Sequence, residues 1–290
     1  MRRAKLTRFA VFVFTVTIGA AMGGCASLVS SAASDFADNL SAAILNQDDP
    51  ETVKAAIPSY MLMLDSLVES NPTDPDVLSA TATLYASYGA VFADDPVRAK
   101  RLTRRARDYA QRAMCEDYAD ACNWRDQTYD EFVASLANVG ADDAELLYTY
   151  GFSTLAYLQA HSDDWNALAE LPQAEALFDH YLAIAGEDAV ESSYVYMGIL
   201  LTLRPPALGG RPEDARDYFE KAIELSEGRD LIAKVEFAKG YAKTLYEREL
   251  HDQLLNEVIS ADPYADGLTL SNVMAKEEAM ELLRAADEYF

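Results

Sequence analysis

Three histidines and the carboxylates beside them are the side chains that could most readily do chemistry. His161 opens the stretch HSDDW at 161–165, whereas His180 and His251 lie far from it in the sequence. A hydrolase needs a nucleophile, a base and an orienting group in matched positions. The chain contains no G-x-S-x-G, H-E-x-x-H, phosphate-loop or dinucleotide-binding pattern. We therefore interpret 161–165 as a loop that caps a short helix, and we expect no catalytic residue, metal site or cofactor.

The three cysteines differ in their surroundings. Cys25 follows an apolar run, whereas Cys115 and Cys122 lie close together in the middle of the chain. In an oxidising compartment Cys115 and Cys122 could pair as a disulfide; two buried thiols are the alternative. A metal site formed by this pair is disfavoured, because no histidine stands at a ligand spacing from it.

The amino-terminal segment has the layout of a secretory signal. Four basic residues lie within positions 2–8, and the uncharged, mostly apolar run 9–24 follows. A basic start, an apolar run and small residues at a cleavage site define a signal peptide. The run is also short of the about 20 residues that a membrane-spanning helix needs. We expect residues 1–24 to be removed.

The end of this segment, Met22-Gly23-Gly24-Cys25, resembles the lipobox of bacterial lipoproteins. The resemblance implies that Cys25 receives lipid and becomes the first residue of the mature chain, anchored permanently by its acyl chains. Ala26, in place of Asp, favours sorting to the outer membrane. We expect a lipidated tether over 25–33 and a helical domain over 34–290, on the periplasmic side of the membrane.

The chain is strongly acidic. Its formal net charge is −24, and loss of the four basic residues in 1–24 would make it −28. Such a surface repels nucleic acid and anionic lipid headgroups, so neither is an expected partner. Half of the residues are hydrophobic, which is enough for a substantial core.

The mature chain shows the periodicity of an all-α protein. Apolar residues recur at spacings of three and four, and Asp-Pro pairs such as Asp49-Pro50, Asp74-Pro75 and Asp95-Pro96 divide the chain into pieces of helix length. No series of strands is indicated. We predict helices near residues 34–46, 50–70, 75–93, 96–115, 122–138, 142–160, 164–167, 172–185, 188–203, 212–226, 229–247, 249–260 and 270–288.

Within these helices the spacing of small and aromatic residues is typical of degenerate tetratricopeptide repeats. Such repeats pack a small residue of one helix against an aromatic residue of the next. We predict an α/α superhelix of irregular helical pairs. The residues expected to pack the repeats are Gly151 and Gly198 in first helices, and Ala215, Phe219 and Ala222 in a second helix.

Seventeen tyrosines, many on predicted helices, have two interpretations. They could pack in the core, or some could line a groove or channel, where an amphipathic ring suits a ligand with apolar and polar parts. Tyr194 and Tyr196 cannot face the same side of a helix. The candidate lining residues are Tyr148, Tyr150, Tyr194, Tyr196 and Tyr241.

The last hundred residues contain a further set of features: Gly209-Gly210, the Ala215/Phe219/Ala222 helix, Phe237-Ala238, Tyr241-Ala242, Arg248-Glu249, Leu254-Leu255, Asn272, Ala275, Ala279, Leu282-Leu283 and Phe290. With these residues the sequence resembles the T component associated with tripartite ATP-independent periplasmic (TRAP) transporters, over nearly the whole chain and most distinctively from residue 190 onward. His251 stands where the family pattern has Phe, and we expect this departure to loosen one core contact.

The resemblance implies a non-enzymatic lipoprotein built from tetratricopeptide-like helices. It also implies a homo-trimer, a channel through each protomer, and docking of a TRAP-type periplasmic solute-binding protein. The implied ligand is a hydrophobic or amphiphilic organic acid. The alternative is an envelope scaffold that binds other proteins and has no small-molecule ligand. The residues themselves do not identify the solute or the partner.

Overall fold

The computed structural model describes residues 39–290, and the described part of the chain contains helices and no strands. The all-α prediction is therefore confirmed for these residues. The predicted signal peptide (1–24), the lipidation site at Cys25, the tether (25–33) and the first residues of the predicted helical domain lie outside the described residues.

Residues 39–45 are helical, and twelve α-helices follow. Their bounds are α1 Pro50–Ser70, α2 Pro75–Val91, α3 Pro96–Asp117, α4 Tyr129–Leu136, α5 Ala144–Ala160, α6 Trp165–Leu168, α7 Leu171–Ala185, α8 Ser192–Thr202, α9 Pro212–Leu225, α10 Leu231–Glu236, α11 Arg248–Ser260 and α12 Thr269–Tyr289.

Three Asp-Pro pairs begin α1, α2 and α3. The Asp49 carboxylate accepts hydrogen bonds from the backbone N–H groups of Glu51 and Thr52, and Asp74 caps α2 in the same way. The carboxylate satisfies N–H groups that have no partner in the helix, while proline at the first helical position has no N–H to satisfy. Local chemistry therefore sets these three starting points.

The predicted helix at 122–138 is wrong as a single element. A 3₁₀ helix spans Ala119–Asp126, and α4 begins separately at Tyr129. The reason is a capping box: Thr128 accepts a hydrogen bond from the N–H of Glu131, whose carboxylate in turn accepts from the N–H of Thr128. This reciprocal pair starts a new helix inside the predicted one.

The predicted α-helix at 229–247 also changes form. After α10 the chain continues as a π-helix over Phe237–Ala242, in which the N–H of Lys243 donates to the carbonyl of Ala238, five residues earlier. The wider turn presents Gly240 to α8, where an added Cβ would lie 2.5 Å from Thr202 Oγ1. The π-helix therefore packs closely against α8 at Gly240.

Buried apolar side chains form one continuous core that extends along the helices from Val53 to Ala279. His251 belongs to this core, contrary to the expected loosening at that position. Its ring is fully buried, and its two nitrogens lie 2.8 Å from an Asp252 carboxylate oxygen and 2.9 Å from the Tyr289 hydroxyl. Hydrogen bonds and the neighbouring Phe290 ring replace the contacts of a phenylalanine.

Candidate functional site

Three half-buried aromatic rings on α5 and α8 form a stack, here called the aromatic stripe: Tyr148, Tyr196 and Phe152. The Tyr196 ring centroid lies 6.1 Å from that of Tyr148 and 5.4 Å from that of Phe152, with interplanar angles of 26° and 21°. Tyr148 and Ser192 share a hydrogen bond of 2.8 Å between their hydroxyl groups. The stripe therefore combines apolar ring surface with hydroxyl groups.

The rings of the aromatic stripe are partly accessible. Tyr148, Phe152 and Tyr196 are all half-buried. Burial raises the pKa of the Tyr196 hydroxyl well above its ordinary value and raises that of Tyr148 as well. Partly accessible aromatic rings can contact the apolar part of a ligand.

A second group of half-buried side chains, here called the charged triad, consists of Glu236, Lys239 and Glu278. Lys239 Nζ lies 2.5 Å from a carboxylate oxygen of Glu236 and 2.9 Å from one of Glu278. Burial raises the pKa of Glu236. Burial lowers the pKa of Lys239, but the two carboxylates more than reverse this effect, so that Lys239 stays charged. The triad joins the π-helix to α12.

Contacts between helices form a closed circuit. α1 contacts α2, α2 contacts α5, α5 contacts α8, α8 contacts α10, α10 contacts α12, and α12 contacts α1 again. The remaining long helices, α3, α7, α9 and α11, each pack on one or more members of this circuit. The aromatic stripe lies on circuit helices, and so do Glu236 and Glu278 of the charged triad, whereas Lys239 lies on the π-helix that follows α10.

Hydrogen bonds between the two ends of the described chain complete the circuit. Asn46 accepts from the N–H of Gly267 at 2.8 Å and donates to the carboxylate of Asp266 at 3.0 Å. The Tyr264 hydroxyl donates to the carboxylate of Asp48 at 3.0 Å. We call this set of contacts the terminal latch. It joins segments more than 210 residues apart.

Of the five candidate channel tyrosines, the structure brings together Tyr148 and Tyr196. Tyr150 packs on Trp124 with ring centroids 5.2 Å apart, and burial raises its pKa to about 12. Tyr241 is 1% exposed and packs on Phe237. The structure therefore places both of these rings in the packed core.

The fifth tyrosine, Tyr194, lies on another surface of α8. Its ring centroid is 6.4 Å from that of Tyr218, in a cleft of about 450 Å³ between α7, α8 and α9. Tyr194 and Tyr196 thus point in different directions, because they are two residues apart on a helix.

The glycines expected at repeat contacts lie against aromatic rings. A Cβ at Gly198 would lie 2.5 Å from Cε1 of Phe219, and a Cβ at Gly151 would lie 2.9 Å from Cζ of Phe178. Ala215 and Ala222, on the same helix as Phe219, are also buried. These contacts bring α8 close to α9, and α5 close to α7.

Cys115 and Cys122 are joined by a disulfide that connects the end of α3 to the 3₁₀ helix. Among residues 39–290 no group of three or more His, Cys, Asp and Glu side chains could hold a metal ion. None of the helices in this same range is both long and apolar enough to cross a membrane.

The sequence analysis missed several residues of these groups. Phe152 and Ser192 are four residues from Tyr148 and Tyr196, so each pair lies on one helix face. A search for polar and aromatic residues at this spacing would have found them. The charged triad carries only part of such a signal, because Glu236 and Lys239 are three residues apart whereas Glu278 lies on the distant α12. Asn46 carries none, because its partners lie in the distant loop before α12.

Comparison with known protein families identifies the relationship. The model of the TRAP transporter T-component family matches residues 46–290, which is most of the chain. The chain belongs to the TRAP transporter T-component family. A comparison with curated proteins returned no match.

Membership makes this T-component an accessory of TRAP transport and implies a location in the cell envelope. It also implies association with other components of a TRAP transporter. The family is a transport accessory and not a known enzyme family. The matched region contains the aromatic stripe, the charged triad and the terminal latch.

Proposed function

We propose that this T-component is a lipid-anchored, non-enzymatic accessory of TRAP-type uptake. It is held by acylated Cys25 on the periplasmic side of the outer membrane, docks a periplasmic solute-binding protein, and binds or passes a hydrophobic or amphiphilic organic acid. The family match supports the role in transport. The lipobox-like sequence Met22-Gly23-Gly24-Cys25 supports the anchor.

The observation that carries the ligand-binding part is the closed circuit of helices with the aromatic stripe on two of its members. Helices that close on themselves can surround a space, and the half-buried Tyr196 ring is compatible with a side chain on the wall of such a space. We propose a channel with Tyr148 and Tyr196 on its wall, surrounded by helical pairs of tetratricopeptide type.

The aromatic stripe suits the apolar part of an organic acid, because ring faces bury apolar surface without needing polar partners. In the hydrogen bond between Tyr148 and Ser192 one hydroxyl donates, and the other keeps its hydrogen to donate to a carboxylate. A ligand of this kind therefore matches both halves of the site.

Native mass spectrometry of the chain from residue 27, followed by denaturation, tests the ligand and the oligomer together. We expect a trimer that releases a small amphiphilic acid. Tyr196→Ala should reduce the bound fraction at least fivefold, since it removes the central ring of the stripe. Tyr194→Ala is the matched control on the same helix and should retain the ligand. Circular dichroism confirms that both variants fold.

An empty protein, or one whose Tyr196→Ala variant retains the ligand like the Tyr194→Ala control, would contradict the channel. Such a result would favour the alternative of an envelope scaffold that binds other proteins and has no small-molecule ligand. Docking has its own test, in which the immobilised T-component captures a purified TRAP-type solute-binding protein. Failure of capture at micromolar concentrations would contradict the docking role.

The anchor is tested by Cys25→Ser in the full-length chain. We expect wild type in the membrane pellet and the variant in the periplasmic fraction, because the acylated residue is gone. Cys115→Ser is the matched control and should stay with the membrane. Retention of Cys25→Ser in the pellet would show that something other than lipid holds the protein.

A further inference from the structure

The cleft beside Tyr194 and Tyr218 is separate from the aromatic stripe and has a volume of about 450 Å³. This is within the range of about 300–1,000 Å³ typical of small-molecule sites. Met197 and Leu201 form the floor of the cleft, and each is only 1% exposed. The apolar surface that a ligand can reach therefore comes mainly from the half-buried rings of Tyr194 and Tyr218.

Charged residues of α7 and α9 surround these contacts, and the basic ones are already paired. Arg211 binds the carboxylate of Glu175 at 2.7 Å and that of Asp214 at 3.2 Å. Lys221 binds Glu224 at 2.9 Å. Both cations of the cleft are thus neutralised by neighbours on the protein.

Two carboxylates of the cleft remain without a cation. Asp179 accepts a hydrogen bond of 3.3 Å from the Tyr218 hydroxyl. Asp217 is exposed and forms no hydrogen bond or ion pair within residues 39–290. After the internal pairs are counted, the cleft is therefore negative, and its negative groups stand next to two tyrosine rings.

We propose that this cleft binds an organic ammonium ion. The cationic head lies beside Asp179 and Asp217, and its alkyl substituents lie against the Tyr194 and Tyr218 rings. Aromatic faces attract cations within about 6 Å of the ring centroid. Carboxylates strengthen this attraction and repel organic acids. The cleft thus differs in ligand charge from the channel of the proposed function.

The test is isothermal titration of the chain from residue 27 with hexyltrimethylammonium chloride. Hexanol and sodium hexanoate are the neutral and anionic probes of equal chain length. We expect binding of the cation alone, and at least fivefold weaker binding by Asp217→Asn. Glu249→Gln removes one exposed charge on α11, outside the cleft, and is the matched control. It should bind like wild type within twofold.

Equal binding of all three probes would overturn the proposal, because it would show general hydrophobic binding. An equal loss of affinity in Asp217→Asn and Glu249→Gln would also overturn it, because it would show general binding to surface charge. Absence of cation binding at millimolar concentration would also overturn it. Nα-acetyl-lysine methylamide distinguishes the source of the cation. If the lysine derivative binds more tightly than hexyltrimethylammonium, the natural cation is a lysine side chain of a partner protein. The proposal of an ammonium-binding cleft is supported by that result as well.

Failure here is distinguishable from failure of the transport role. Asp217→Asn leaves the aromatic stripe intact. Binding of the organic acid and of the solute-binding protein by this variant therefore still tests the proposed transport function. A protein that binds its acid and its partner but no ammonium ion contradicts the cleft alone.

Discussion

Asn46 and Gly267 are 221 positions apart in the sequence and are joined by a hydrogen bond of 2.8 Å from the N–H of Gly267 to the side-chain oxygen of Asn46. The same Asn46 side chain donates to Asp266. The oxygen and the nitrogen of the Asn46 side chain thus both hold the loop before α12. This contact closes the circuit of helices on which the proposed channel depends.

Asn46→Ala should loosen the terminal latch. We expect amide exchange at Gly267 to be at least tenfold faster, while the free energy of unfolding falls by about 1 kcal/mol, as for a typical hydrogen bond. Hydrogen–deuterium exchange with mass spectrometry measures the first effect. The control is Asn256→Ala, because that amide donates to Asp252 within its own helix. Equal exchange at Gly267 in both variants would show that the latch does not hold this loop.

Gly198→Ala should destabilise the contact between α8 and α9. The new Cβ would lie 2.5 Å from Cε1 and 2.6 Å from Cζ of Phe219. Overpacking of this kind costs about 1–3 kcal/mol. Urea denaturation compares this variant with Gly140→Ala, whose added Cβ meets no atom within 4 Å. Equal midpoints for the two variants would mean that the helices separate at little cost.

Loss of the disulfide should destabilise the link between α3 and the 3₁₀ helix. The bridge joins residues seven positions apart, and the chain-entropy model gives about 2–3 kcal/mol for so short a loop. We expect Cys115→Ser/Cys122→Ser to unfold at a lower temperature than wild type. A reducing agent should bring wild type to the same midpoint and leave the double variant unchanged. A reductant effect on both proteins would point to another cause.

His161 should make stability depend on pH. Its Nε2 atom accepts a hydrogen bond from Arg104 at 3.2 Å, and its Nδ1 atom lies 2.8 Å from the Tyr157 carbonyl. Burial lowers the pKa of His161, the Tyr157 carbonyl opposes this effect, and the charges of Arg104 and Lys100 lower it further. The folded state therefore favours the neutral ring.

Because the pKa is lower in the folded than in the unfolded state, the unfolded chain binds a proton first as the pH falls. The stability contributed by His161 is complete above its ordinary value of 6.5 and is lost below it, until the folded pKa is reached. Urea denaturation between pH 7.5 and pH 5 should show a smaller loss for His161→Gln than for wild type. If the free energy of unfolding falls equally with pH in both proteins, a group other than His161 causes the pH dependence.

Local chemistry was sufficient to predict most of the helices. An Asp carboxylate and a following proline act on N–H groups within three residues, so Asp49-Pro50, Asp74-Pro75 and Asp95-Pro96 could be interpreted without knowledge of the fold. Apolar spacing likewise predicted an all-α protein. The same method failed at Thr128, where the capping box was overlooked although all of its residues are local.

The orientation of the tyrosines depended on tertiary packing. Tyr148 and Tyr150 share a helix, yet one lies in the aromatic stripe and the other packs on Trp124 in the core. Helical periodicity shows that two such residues diverge, but not which of the two faces meets a neighbouring helix. Which face is packed depends on contacts with elements 26 or more residues away. Helical periodicity contains no information about where those elements lie.

Closure of the circuit, the charged triad and the π-helix also required the folded chain. Lys239 meets Glu278 across 39 positions, and Asn46 meets Gly267 across 221. A pattern along the sequence describes forces that act within a few residues, whereas these groups meet only after intervening helices have packed. The amino acid sequence therefore predicted the helices and the family, and the tertiary structure determined which side chains face one another.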